Sequence, residues 1–249
     1  MALPKLKILC LHGKQQNKEI FRTKLGRIPH KLRNLAELTI IDAPLILESE
    51  STPDSISRTW FYREPDTNCV EISSLLETIT MLEKLWQESG PFDGVLGFSM
   101  GGTIASLIAG SANRTYNVRQ NVEDNKGVSA TSDERSDSNN SCCSFPGLQF
   151  VICAGAVDIH PQLESSIVEL NLPFLYPFKI PTHVTSLHIA GTADTSVPIA
   201  SSIALSQRYT DARFIEHEQG HHIPMKALVV GGIVAFVAEQ QNRLYSSST

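Results

Sequence analysis

The chain has 249 residues, 41% of them hydrophobic, and a formal net charge of −5, enough to bury a large core in one α/β unit rather than two small ones. A net-negative chain without a basic cluster has no nucleic-acid footprint, and no apolar run reaches the ~20 residues of a membrane span. The opening Met1–Lys7 lacks the apolar centre of a secretory signal, and an odd count of five cysteines makes no disulfide framework, so a reducing compartment, cytosol or nucleus, is expected.

In chain order, the first apolar run, Leu6–Leu11, reads as a strand, and Leu38–Ile41 as a second. Val70–Glu88 reads as a long helix, with Ile72, Leu75, Leu76, Ile79, Leu82 and Trp86 on one stripe and Gly90-Pro91 ending it. Gly94–Phe98 is a third strand, followed directly by a helix with Ile104, Leu107 and Ile108 on its core face. The stretch at about 111–146 is rich in Ser, Asn, Asp and Glu. It cannot offset its own ordering entropy and is expected to be a flexible polar insertion in a single domain spanning 1–249. Strands Leu148–Cys153, Ser186–Ala190 and Arg213–Glu216 follow, with helices at Pro198–Arg208 and Met225–Gln240. Most strands lack in/out alternation, which suits strands buried on both faces of a doubly wound, mostly parallel sheet with helices on both sides.

Residues 97–102 read Gly-Phe-Ser-Met-Gly-Gly and directly follow an apolar run. This G-x-S-x-G pattern at a strand-to-helix turn lifts one serine hydroxyl clear of the sheet, which makes Ser99 a candidate covalent nucleophile. Serine needs a base, usually a histidine held by a carboxylate, and in α/β-hydrolases the chain order is Ser, then Asp or Glu, then His. Asp194 sits just past the strand that ends at Gly191, at the same carboxyl edge of the sheet as Ser99. After the last strand comes His217-Glu-Gln-Gly-His221-His222-Ile-Pro224. His221 is favoured as the base because a glycine precedes it and a proline follows; His222 and His217 stay open. The same stretch spells H-E-x-x-H, a zinc-peptidase pattern that works only on a helix, and Gly220, Pro224 and the preceding strand disfavour helix there. No metal or organic cofactor is expected. Oxyanion donors are expected from the backbone N–H of Met100, at the helix start, and of Lys14, in the loop after the first strand.

These segments resemble the FSH-type serine hydrolases, the family of ovarian cancer-associated gene 2 protein-like esterases. The resemblance is carried by Lys7-Ile-Leu-Cys-Leu-His-Gly13, Asn17–Arg22, Ile41-Asp-Ala-Pro44 and Thr59-Trp-Phe-Tyr-Arg63. It continues in Gly94–Gly102, Gly191-Thr-Ala-Asp194 with Val197-Pro198, and Gly220-His221 with Pro224. It implies an α/β-hydrolase fold with a minimal lid, a Ser99–Asp194–His221 triad, and hydrolysis of small-molecule carboxylic esters, including medium- to long-chain alkyl esters. A thioesterase or peptidase with the same triad, and a non-catalytic ligand-binding protein, are the other readings. The chain departs from the family pattern at Gln219, where a second glycine is usual, and in the polar Lys14-Gln15-Gln16 that follows Gly13. With the resemblance in view, Trp60, Phe61 and Tyr62 are read as substrate-binding residues lining an acyl pocket, with core packing under a loop as the alternative.

Overall fold

The computed structural model describes residues 3–52, 55–112, 145–163, 180 and 183–246. Its centre is a six-stranded sheet of β1 (Leu6–Leu11), β2 (Ala36–Ile41), β5 (Gly94–Phe98), β6 (Phe150–Ala154), β7 (Thr185–Gly191) and β8 (Ala212–His217). The spatial order is β2-β1-β5-β6-β7-β8, and every pairing is parallel. A two-residue antiparallel pair, β3 (Leu45–Ile46) with β4 (Arg58–Thr59), stands apart from this sheet.

The continuous apolar runs are explained by two cores. On β5, Leu96 and Phe98 pack into one and Val95 into the other; on β6, Phe150, Ile152 and Ala154 face one side, Val151 and Cys153 the opposite. Helices α1 (Lys18–Lys24), α2 (Ile28–Leu32) and α6 (Ala227–Ser246) cover the Leu96 face through Phe21, Ile28, Leu32, Val229, Ile233 and Phe236. Helices α3 (Ile72–Ser89), α4 (Met100–Ser111) and α5 (Ile199–Ser206) cover the Val95 face through Leu75, Ile79, Leu82, Ile104, Ile108 and Leu205. Each such side chain contributes on the order of 1.5–3 kcal/mol on leaving water.

The strands and long helices expected from periodicity are present, with end shifts of one to two residues and a longer C-terminal helix. The edge strand β2 begins at Ala36 rather than Leu38, because Ala36 and Glu37 extend the parallel pairing opposite Leu6 and Lys7 of β1. Helix α3 buries Leu75, Ile79, Leu82 and Trp86 from the expected stripe. Helix α4 departs further: Gly101 through Ser111 are all buried, not only one face. Its Gly and Ala content lets neighbours close in from every side. Helices α1 and α2 and the β3–β4 pair carry no periodic signal long enough to be read. The insertion expected at about 111–146 falls mostly on 113–144, outside the described residues. Its described ends belong to the core, with Ser111, Ala112 and Phe145 buried.

Carboxyl ends of parallel strands share one edge. Strand β1 is flanked by β2 on one side and β5 on the other, so the chain direction across the sheet reverses between β1 and β5. This is the switch point at which open α/β sheets leave a crevice.

Beneath α5, His188 on β7 is fully buried with Nε2 at 3.0 Å from Ser186 Oγ, and burial pushes its pKa down to about 4. The unfolded chain takes up this proton near pH 6.5, the folded chain only near 4, so stability falls as pH drops between the two values. Urea unfolding at about pH 7.5 and about pH 4.5 should show a loss of about 2–3 kcal/mol beyond that of His188→Leu. Equal pH dependence in the two proteins would sink this assignment.

Candidate active site

Strand β5 ends at Phe98 and α4 begins at Met100, so Ser99 alone makes the turn, at φ 54° and ψ −122°. A side-chain-bearing residue rarely adopts positive φ, and holding it there costs on the order of 1–3 kcal/mol. The Ser99 N–H donates to Ala154 O on β6 at 2.7 Å, which pins the turn to the sheet. A Cβ at Gly97 would sit 2.2 Å from Gly101 O, and one at Gly101 would sit 2.3 Å from Leu11 O and 2.5 Å from His12 O. The two glycines therefore let the first turn of α4 lie against both its own strand and the loop after β1.

Strand β7 ends at Gly191 and delivers Asp194; β8 ends at His217 and the chain bends on to His221. His221 Nδ1 lies 2.6 Å from Asp194 Oδ2, and His221 Nε2 lies 2.8 Å from Ser99 Oγ. An ionised carboxylate only accepts, so Nδ1 carries the proton, and Nε2 is left free to accept the Ser99 hydroxyl hydrogen. The other carboxylate oxygen, Oδ1, accepts the Ser196 N–H at 2.9 Å and the Val197 N–H at 2.8 Å. Burial alone would raise the Asp194 pKa. Hydrogen bonds from the Val197 N–H, the His221 ring and the Ser196 N–H outweigh it and hold the carboxyl below its ordinary value. The His221 ring packs on Phe98 with centroids 4.9 Å apart, and its side chain keeps 22% exposure, so solvent can reach it.

In the loop after β1, the Gly13 N–H donates to Gln16 Oε1 at 3.3 Å, the Gln15 N–H to Arg58 O at 2.9 Å, and the Gln16 N–H to Gly13 O at 3.3 Å. Among the described residues the Lys14 N–H has no acceptor, and neither has the Met100 N–H, the first of α4. Both lie past the ends of neighbouring strands in register, Leu11 opposite Gly97. The arrangement sets a hydroxyl, an imidazole able to take its proton, and two unengaged backbone donors at one sheet edge. That is the equipment of acyl transfer.

The family model for serine hydrolase (FSH1) matches residues 1–233. The chain belongs to this serine hydrolase family. Esterase CG5412 of Drosophila melanogaster is 29% identical to it over 233 residues, covering 90% of this chain and 70% of that protein. Esterase OVCA2 of Bos taurus is 28% identical over 250 residues, covering 91% and 92%. Among solved structures, acyl-protein thioesterase 2 of Zea mays superposes with a TM-score of 0.60 at 15% identity, covering 96% of this chain and 95% of that one, a likeness of fold.

In this hydrolase the other histidines of the loop lie elsewhere. His217 is the last residue of β8 and buried, with its Nδ1 accepting the Gln219 N–H at 3.3 Å; the His222 ring lies tilted beside it, centroids 6.1 Å apart. Burial first, then the neighbouring His222, lowers the His217 pKa. The H-E-x-x-H stretch starts on a strand and continues through bends, so its two histidines do not share a helix face. Among the described residues no three His, Cys, Asp or Glu side chains are grouped to hold a metal ion, and no helix among them is long and apolar enough to cross a membrane. Trp60 and Phe61 are core residues, 0% and 2% exposed, rather than the wall of an open pocket. Tyr62 is half-buried and donates its hydroxyl to Ile46 O at 2.9 Å. The sequence signal for that burial was present: the run lies between two short polar stretches, where aromatics pin a loop onto the core as readily as they line a cleft. The role of Gln16, whose side chain engages the Gly13 N–H, had no sequence signal.

Proposed function

We propose that this hydrolase cleaves small-molecule carboxylic esters through an acyl-enzyme on Ser99. The single observation that carries the reading is the unbroken hydrogen-bond chain from Ser99 Oγ through His221 to Asp194. The ester class is supported by the names of its relatives, Esterase CG5412 and Esterase OVCA2. His221 Nε2 takes the Ser99 proton as Oγ attacks the ester carbonyl carbon. The resulting oxyanion accepts hydrogen bonds from the Met100 and Lys14 N–H groups, each worth about 2.7–4 kcal/mol in the transition state. His221 then gives its proton to the departing alcohol. A water that enters through the exposed side of the imidazole loses a proton to His221 and attacks the acyl carbon. The acid leaves, and the proton returns to Ser99. Asp194 stays ionised, holds the tautomer and offsets the charge on the imidazolium. The chain itself supplies nucleophile, base and donors, so the scheme uses no metal or organic cofactor.

A fluorophosphonate probe should label the wild-type protein on Ser99, and p-nitrophenyl esters should be hydrolysed. Across acyl chains of increasing length, kcat/KM should climb steeply if an apolar acyl site is present. A folded protein that takes no label and turns over no ester in the series would overturn the reading and favour a ligand-binding protein. Faster turnover of acyl thioesters than of matched oxygen esters would move the substrate class to thioesters.

A further inference from the structure

We propose that Trp60 is a positioning residue for the Lys14 oxyanion donor and acts through the backbone of His12; this rests on the acyl-enzyme reading above. The Trp60 indole is fully buried, and its Nε1–H donates to His12 O at 2.7 Å across 48 residues of chain. The two rings pack with centroids 5.1 Å apart. The Trp60 carbonyl is in turn held by the Thr78 hydroxyl on α3. A long core helix, the indole and the loop after β1 thus form one rigid line.

What this line controls is a peptide plane. His12 Nδ1 donates to Gly13 O at 2.8 Å, and its Nε2 accepts the Ala43 N–H at 3.0 Å. Burial pushes the His12 pKa down, which keeps the ring neutral and able to do both. Gly13 O and the Lys14 N–H belong to the same trans peptide and point in opposite directions. Holding Gly13 O from one side therefore aims the Lys14 N–H to the other. Trp60 holds the preceding carbonyl, that of His12, so neither peptide flanking Gly13 can rotate. Gly13 would otherwise turn freely. The neighbour of Trp60 touches the side chain of the residue that carries the second donor: the Thr59 hydroxyl donates to Phe61 O at 2.8 Å and lies 3.1 Å from Met100 Sδ. One buried segment thus touches the Met100 side chain directly and the loop that carries Lys14 through His12. Backbone donors act on a transition state only when preorganised toward the atom where charge develops.

The test is Trp60→Phe, which keeps an aromatic ring and removes the N–H. A second variant carries benzothienylalanine at position 60, which keeps the indole shape and also lacks the N–H, so its fold is preserved. With p-nitrophenyl butyrate, kcat should fall about tenfold or more in both with KM within about twofold, since the donor acts on the transition state rather than on bound substrate. Affinity for an alkyl boronic acid, whose tetrahedral adduct places an oxygen at the oxyanion position, should fall by the same factor. A merely structural Trp60 would lower Tm and leave both quantities unchanged. If kcat and boronate affinity of the folded benzothienylalanine variant stay within about twofold of wild type, while wild type is labelled by fluorophosphonate, the positioning role is overturned and the acyl-enzyme reading stands. If wild type takes no label, the acyl-enzyme reading itself is overturned.

Discussion

Replacing Ser99 with alanine is expected to lower kcat toward p-nitrophenyl esters by about six orders of magnitude and to abolish fluorophosphonate labelling. The alanine removes the hydroxyl that lies 2.8 Å from His221 Nε2, so no acyl-enzyme forms. Any residual rate comes from water at the bare oxyanion donors, which in serine hydrolases of other folds sustains about 10³–10⁴-fold over solution. Loss of activity must be separated from loss of fold, and the strained turn allows this. Alanine keeps the penalty of φ 54° at position 99, so Ser99→Ala should melt close to wild type. Ser99→Gly relieves it and should be more stable by about 1 kcal/mol, yet equally inactive. Thermal melts and single-turnover assays on the same samples decide the matter. Activity above about one percent in a folded Ser99→Ala protein would remove Ser99 from its proposed role.

Asp194→Asn is expected to cost about 10⁴-fold in kcat while leaving the backbone in place. The reason is directional. Asp194 Oδ1 accepts two backbone N–H groups, from Ser196 and Val197. An asparagine must keep its carbonyl oxygen there, because its NH2 group would face two donors with nothing to offer them. The NH2 is then turned toward His221 Nδ1, which must become an acceptor. That moves the ring proton to Nε2, the atom that has to accept from Ser99, and the base is disabled by tautomer rather than by distance. Nitrogen NMR of the His221 ring should report the proton on Nε2 in the variant and on Nδ1 in wild type. Fluorophosphonate labelling should slow in Asp194→Asn and vanish only in Ser99→Ala. A kcat loss under tenfold, or an unchanged tautomer, would show that Asp194 does not orient the imidazole.

How much of this was legible beforehand depends on the range of the interactions. Strands with no alternation, the Leu75–Trp86 stripe and the elbow glycines are local signals. The stripe follows from a period and Gly97 from crowding four residues away, where a Cβ would sit 2.2 Å from Gly101 O; a Cβ at Gly101 would meet Leu11 O at 2.3 Å, on another strand, and the glycine there is read from the pattern alone. The chain order Ser99, Asp194, His221 was legible for a related reason: parallel strands deliver all their carboxyl ends to one edge whatever the loops do. Short elements were not legible. Helix α2 spans five residues and β3 and β4 two each, too few for any period to register.

The layered α/β architecture, the sheet edge that carries the candidate site and a serine on a sharp strand-to-helix turn are all legible in local sequence pattern. That pattern favoured His221, with a glycine before it and a proline after it, but left His222 and His217 open in the same loop. Only the tertiary structure brought His221, and neither His217 nor His222, to hydrogen-bond distance of both Ser99 and Asp194, because the path of a bend after β8 is decided by what it packs against. It also turned Trp60 and Phe61 from expected pocket lining into core. Whether an aromatic side chain faces a cleft or a helix is decided by the partner surface, here α3 and the loop after β1, the latter 48 residues away in the chain.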